Sequence, residues 1–324
     1  MSAIFPDESG LDVLRARLSD PDPAVRRIAI IDLLDFGSDE AQTTPLLIER
    51  LQDSDAEVRR EAALALEGRE TVPVLRALLA ALTDVEPMVR EGAAQSLSEV
   101  KDQSLGPHLL EMATHPTASV RAAVLRALRP LRLPGSLQPA LNALASTDPG
   151  VRREAVGVLG YLKDTGALVA LAGIAESDQE SEVRRSAVGA IGYAASTEIA
   201  TALIKALKDP AWRVRQESAA TLGKLQLSVA LTPLMEAMAD PYWQVRVEST
   251  RSLGKLRNPR AVPVVATALH HEISNLRKEA AIALGEIGDV SAIPALEEAM
   301  GDSDPDVRKL AGLALQTIFS RASV

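Results

Sequence analysis

From Arg213 to Leu225 the chain reads RVRQESAATLGKL, with apolar side chains returning every three or four residues. That spacing, near 100° per residue, predicts an amphipathic helix with one buried stripe. Ahead of it, EIATALIKALK over 198–208 carries the same period, and Asp209–Pro210 separates the two stretches. Proline cannot continue a helix but suits its first turn, and aspartate accepts hydrogen bonds from the N–H groups at a helix start. Asp-Pro therefore predicts the break between the two helices of a hairpin. It recurs at Asp20–Pro21, Asp22–Pro23, Asp148–Pro149, Asp240–Pro241 and Asp304–Pro305.

The hairpin itself recurs. A Val-Arg pair, once Leu-Arg, stands at Val25, Val58, Val89, Val120, Val151, Val183, Val214, Val245, Leu276 and Val307. The interval is 31 residues except for one step of 33 and one of 32. A fixed period of about 20–50 residues marks a repeat array, in which each unit buries its apolar face only against its neighbours. The pattern predicts an all-α, right-handed superhelical α-solenoid of about ten helical hairpins. A flexible N-terminal leader is expected over 1–10 and a single solenoid domain over 11–324.

With that valine as position zero, positions 0, 4, 8 and 11 fall on one helical face. They are Val151, Ala155, Leu159 and Leu162 in the fifth hairpin, and Val245, Ser249, Leu253 and Leu256 in the eighth. Positions 2, 3, 6 and 10 point away, so successive second helices should line a continuous surface. Position nine is glycine in hairpins five to nine: Gly160, Gly192, Gly223, Gly254 and Gly285. Each costs about 1 kcal/mol of helix propensity, which predicts close helix packing or an early helix exit. In the fourth hairpin Pro130 and Pro134 surround the helix end, and a local change of superhelical pitch is expected there.

Composition narrows the function. Lys and Arg number 35 against 44 Asp and Glu, a net charge of −9. That balance disfavours nucleic acid, whose binding rests on neutralising phosphates with a basic face. The absence of cysteine excludes disulfides and thiolate chemistry. With aromatics at 2 %, the core must come from Leu, Ala, Val and Ile. The N-terminus lacks the regions of a secretory signal, and no apolar run reaches the ~18 residues of a membrane span. A cytoplasmic protein is expected. Asp302, Asp304 and Asp306 begin like a calcium loop, but Val307 stands where its glycine belongs and Leu313 where its glutamate belongs. No nucleophile elbow, phosphate loop or dinucleotide fingerprint is present. No enzymatic activity, cofactor or metal is expected.

The segment D-P-x-x-x-V-R-x-E-A-A-x-A-L-G-x-L, as in Asp209 to Leu225 and Asp240 to Leu256, resembles the HEAT repeat. More narrowly it resembles the short bacterial variety found in phycobilisome bilin lyases. The likeness spans Leu11 to Phe319. It implies a ladder in which the Val-Arg arginines pair with aspartates at position −5: Asp20, Asp53, Asp84, Asp178, Asp209, Asp240 and Asp302. His115 and His271 interrupt it in the fourth and ninth hairpins, where the rungs should be weaker or pH-sensitive. Hydroxylases with HEAT repeats hold two irons with His-Glu pairs at the second-helix start. Arg60–Glu61, Arg153–Glu154, Gln216–Glu217 and Lys278–Glu279 stand there instead.

Two surfaces stand out for partner binding. In hairpins five and six, Gly157 and Gly189 precede Tyr161 and Tyr193 by one turn, which predicts shallow concavities with aromatic walls. Arg153 and Arg185 share that face, flanked by Arg126, Lys224, Arg251 and Lys255. Rings and cations among small residues suit an acidic or extended peptide. In hairpins seven and eight, Trp212 and Trp243 occupy equivalent positions, about 10 Å apart at ordinary helix spacing, with Tyr242 adjacent. Exposed aromatics on one rim predict a contact patch. His270 and His271, adjacent at a helix end, are poorly placed to share a metal.

The expected function is a non-catalytic scaffold or adaptor that grips a partner protein on its concave face. Two alternatives belong to other classes. One is a bilin-lyase-like chaperone or lyase subunit, holding a tetrapyrrole on Tyr161, Tyr193 and the basic ridge. The other is a DNA-binding protein of the alkylpurine glycosylase kind, which the acidic charge disfavours.

Overall fold

The computed structural model describes residues 8–35 and 40–322, and all regular structure among them is helical. Most of the leader expected over 1–10 lies outside the described residues; its last three, 8–10, open the first helix. By Cα packing the chain divides into two compact units, Met1–Leu162 and Lys163–Val324, where the sequence predicts one domain.

The first unit holds five hairpins: α1 (Glu8–Arg17) with α2 (Pro23–Asp35), α3 (Glu40–Arg50) with α4 (Ala56–Ala65), α5 (Val72–Ala81) with α6 (Pro87–Ser98), α7 (Gly106–Met112) with α8 (Ala118–Leu131), and α9 (Leu137–Ala143) with α10 (Pro149–Leu162). The second holds α11 (Leu168–Ser177) with α12 (Ser181–Ala190), α13 (Thr197–Ala206) with α14 (Trp212–Leu225), α15 (Leu231–Ala237) with α16 (Trp243–Leu256), α17 (Val262–Thr267) with α18 (Ser274–Ile287), and α19 (Ile293–Ala299) with α20 (Pro305–Ala322). Within each unit the second helices pack in sequence, α2 on α4 through to α10, and α12 on α14 through to α20.

The heptad-like register explains the core. Val151, Ala155 and Leu159 are fully covered, as are Val245, Ser249 and Leu253, while Leu162 and Leu256 are half-buried. Alanine and glycine let adjacent second helices approach closely. A Cβ built on Gly223 would stand 2.5 Å from the Ser252 Cβ, and one on Gly285 would stand 2.9 Å from the Ala314 Cβ. Position nine of one helix thus lies against position seven of the next, and the glycines are packing residues.

The joints between hairpins differ, and after α6 a 3₁₀ turn (Gln103–Leu105) follows a right-handed Glu99 with no left-handed residue. At Arg132, Gln226 and Arg257 the helix ends in a left-handed residue (φ 50–51°), followed by a short 3₁₀ turn. After α4 and α12, each only ten residues long, no 3₁₀ turn intervenes, although Gly68 after α4 is left-handed (φ 78°). The next helix is capped by the Thr71 hydroxyl on Val74 N–H and the Ser196 hydroxyl on Ile199 N–H. Asp-Pro likewise has two uses rather than one. At position −3 aspartate caps the helix that its proline opens, as Asp148 Oδ1 does for Val151 N–H at 3.0 Å. At position −5, as in Asp209–Pro210, the proline stays outside the helix and the carboxylate turns the loop.

Candidate functional site

The repeated arginine is a three-way tie. Nη1 of Arg215 donates to the carbonyls of Asp209 and Pro210 in its own hairpin, at 2.8 and 3.2 Å. Its Nε and Nη2 reach Oδ2 and Oδ1 of Asp240 in the next hairpin. Arg26–Asp53, Arg59–Asp84, Arg184–Asp209 and Arg277–Asp302 repeat this two-pronged geometry at 2.7–3.0 Å. The planar fork of a guanidinium matches a carboxylate, so each pair locks one hairpin against the next. Each of these aspartates also accepts the N–H two residues on, as Asp240 does from Tyr242.

Three positions break the pattern, one more than the histidines indicate. His115, Ser146 and His271 keep the local turn, accepting the i+2 N–H through Nδ1, Oγ and Nδ1 at 3.1, 3.2 and 3.0 Å. None supplies a carboxylate. Arg121 keeps the carbonyls of His115 and Pro116 but finds only the Ser146 hydroxyl in the next hairpin, at 3.4 Å, and no carboxylate pairs with Arg90 or Arg246 among the described residues. The Arg246 Nε is buried without a partner. Burial, with Arg246 nearby, holds the His271 imidazole below its ordinary pKa.

In the first unit the expected ridge becomes an arginine cluster. Glu154, on α10, is 5 % exposed. Its Oε1 accepts from Arg126 (3.2 Å) and Arg153 (3.4 Å), while Arg129 approaches Oε2 at 3.7 Å. Tyr161 is 45 % exposed, and the guanidinium carbons of Arg129 and Arg132 lie 5.5 and 5.6 Å from its ring centre. The predicted concavity at Gly157 is absent, because Arg129 Cδ lies 3.1 Å from where a Cβ would stand. Arg129, Arg132 and Glu154 are missing from the expected site. The i, i+3, i+6 spacing of Arg126, Arg129 and Arg132 could have shown the first two, but Pro130 directs attention to the helix end.

In the second unit the expected partners separate. Gly189 makes room for the Glu217 carboxylate rather than a ligand, with Oε1 3.0 Å from a Cβ built there. Burial lifts that carboxyl above its ordinary range against the pull of Arg185. Tyr193 does not sit on a helix face: α12 ends at Ala190, and the phenol hydroxyl donates to the Asp164 carbonyl at 2.6 Å. Arg185 lies between Glu182 and Glu217, and Arg251 between Glu248 and Glu279. Lys224 is exposed and Lys255 half-buried.

The aromatic rim is built differently from the expected pair of indoles. Trp212 stacks on Tyr242 with ring centres 5.5 Å apart and planes 12° from parallel. Arg213 lies over the Trp212 ring and Arg215 over the Tyr242 ring, each at 5.5 Å. Tyr242 is 45 % exposed, while Trp212 and Trp243 are half-buried.

Repeat length, hairpin packing and the arginine rungs define a helical-repeat protein of the HEAT class. The chain belongs to the HEAT-repeat family, whose pattern matches residues 11–98, 44–129, 106–191, 170–246 and 231–316. No curated protein matches it. Among solved structures, an engineered protein is similar at 20 % identity and TM-score 0.54, over 95 % of this chain and 98 % of its own. YibA of Escherichia coli is similar at 20 % identity and TM-score 0.53, over 87 % and 97 %. Kap95, solved in a complex with Nup1, is similar at 13 % identity and TM-score 0.65, over 97 % of this chain and 51 % of that one. At these identities the likeness is one of fold. No described helix is long and apolar enough to cross a membrane.

Proposed function

We propose that the protein is a non-catalytic adaptor that binds a partner protein through its second helices. The observation carrying this reading is the Arg213–Trp212–Tyr242–Arg215 stack, drawn from consecutive hairpins and exposed at Tyr242. Rings already fixed by stacking lose little freedom when a partner covers them, and aromatic and arginine side chains dominate binding energy at protein interfaces. The fold shared with Kap95 in its Nup1 complex supports the reading by analogy alone. A cytoplasmic location accords with it.

Affinity capture from the native cell, read by mass spectrometry, tests it with Trp212→Ala/Tyr242→Ala beside the wild type. Proteins retained by the wild type should be lost from the variant, with the helical circular dichroism unchanged. An identical captured set would reject the stack as the binding surface. The narrower resemblance to phycobilisome lyases makes a different demand, a shift in bilin absorbance on mixing. The adaptor reading expects none.

A further inference from the structure

The Glu154 cluster has a charge ratio opposite to its counterparts in the second unit. There, each ridge arginine is shared by two carboxylates: Arg185 by Glu182 and Glu217, Arg251 by Glu248 and Glu279. In the first unit three guanidiniums converge on one buried carboxylate, and Arg132 adds a fourth beside Tyr161. Glu154 cancels one positive charge and leaves an excess on a chain whose net charge is −9. The side chains of Arg126, Arg129 and Arg153 are 39–50 % exposed, so their remaining N–H donors face water. A buried carboxylate that draws guanidiniums together prepares them to bind a second anion without further ordering.

A groove of about 310 Å³ between α6 and α8 leads to this cluster. Leu82, Pro87, Ala94, Ala122 and Ala123 give it an apolar lining. Arg90, Glu91, Ser119 and Arg126 form its polar edge, so the cationic excess lies at the Glu154 end rather than along the groove. Arg90, like Arg246, faces a histidine position instead of an aspartate, so its fork is not taken up by a rung. Apolar lining suits an extended peptide, whereas bases need stacking surfaces, and no aromatic residue lines the groove.

We propose that this surface binds a phosphorylated segment of a partner protein, with the backbone in the α6–α8 groove and the phosphoryl group on Arg126, Arg129 and Arg153. A phosphomonoester near neutral pH carries close to two negative charges and three acceptor oxygens, which matches several converging forks better than a single carboxylate does. Arginine clusters are a recurring solution for phosphopeptide recognition. The inference rests on the reading of the chain as a protein-binding adaptor but uses residues in the other unit.

The test is fluorescence anisotropy with a labelled pentapeptide of glycine and alanine carrying one central phosphoserine, beside its serine and glutamate counterparts. The phosphopeptide should bind about tenfold or more tightly than the glutamate peptide, as expected for a stronger, multiply charged acceptor. Arg129→Gln and Arg153→Gln should each weaken it severalfold, Arg129→Lys less so, and Arg251→Gln not at all. Circular dichroism confirms that each variant is folded, and Nε–H resonances of the wild-type arginines report the same site without mutation. Equal binding of the glutamate peptide overturns the proposal, as does equal loss with Arg251→Gln. Tighter binding of a single-stranded oligonucleotide at the same arginines would also overturn it, reassigning the site to nucleic acid. None of these readouts depends on Trp212 or Tyr242, so failure here leaves the adaptor reading standing.

Discussion

Nε and Nη2 of Arg215 meet Oδ2 and Oδ1 of Asp240 at 2.6 and 2.9 Å across two hairpins, with both side chains about nine-tenths covered. Such a pair is costly to break from one side, because the remaining charge stays buried and uncompensated. Asp240→Ala is expected to lower stability by about 3 kcal/mol or more, measured by urea unfolding. A change below about 0.5 kcal/mol, the scale of an exposed pair, would show that the rung is ornamental.

Replacing the histidine at the ninth rung should have the reverse effect. His271→Asp places a carboxylate opposite Arg246, whose buried Nε has no partner. A gain of about 1–3 kcal/mol is expected for a charge-assisted hydrogen bond that also satisfies a buried donor. Calorimetry of the variant should show a raised Tm; an unchanged or lowered Tm refutes the assignment of that orphaned donor to the missing aspartate.

The same histidine gives the fold a pH dependence of known sign. Its native pKa is depressed by burial and by Arg246, so between that value and the ordinary one near 6.5 the unfolded chain binds more protons. Stability should therefore fall as pH drops from about 6.5 towards the native value, and level off below it. Protonation also removes the Nδ1 acceptor used by Ile273 N–H. The imidazole's share of the slope should vanish in His271→Asp, leaving the opposite contribution of Glu217, whose carboxyl is raised by burial. A second loss begins in the ordinary Asp range near pH 3.9, because Arg59 and Arg277 hold the Asp84 and Asp302 carboxyls low by hydrogen bonding. That loss continues as pH falls through their depressed native values.

Two glycine replacements should move stability in opposite directions. Gly223→Ala puts a methyl 2.5 Å from the Ser252 Cβ and 2.8 Å from its Cα, and overpacking of this kind costs about 1–3 kcal/mol. Gly173, exposed on α11, has nothing within 4 Å of a built Cβ, so Gly173→Ala should gain about 0.5–1 kcal/mol from helix propensity. Thermal melts of the two variants check both signs, and a destabilised Gly173→Ala would contradict the packing described.

The repeat and its register were plain in the sequence because one Val-Arg pair recurs with the spacing of the core it anchors. Even the close approach at Gly223 could be read, since a glycine is otherwise costly inside a helix. The site was less legible. Tyr161 and Tyr193 occupy the same place in the repeat, yet α10 runs to Leu162 while α12 stops at Ala190. Ser196 caps the helix that follows, so the joint after α12 omits the left-handed residue and 3₁₀ turn, and Tyr193 falls in a turn. Helix length is decided by the joint rather than by the repeated residues. Gly157 and Gly189 misled for another reason: long side chains from adjacent hairpins, Arg129 and Glu217, fill the space they leave, and a single repeat gives no sign of its neighbours' reach.

Because every guanidinium rung fastens a loop of its own hairpin to the loop of the next, resistance to mechanical extension should be set rung by rung. Pulled from its ends, the second unit should part first between α16 and α18, where an imidazole replaces the carboxylate, and hold longest where aspartate forks remain.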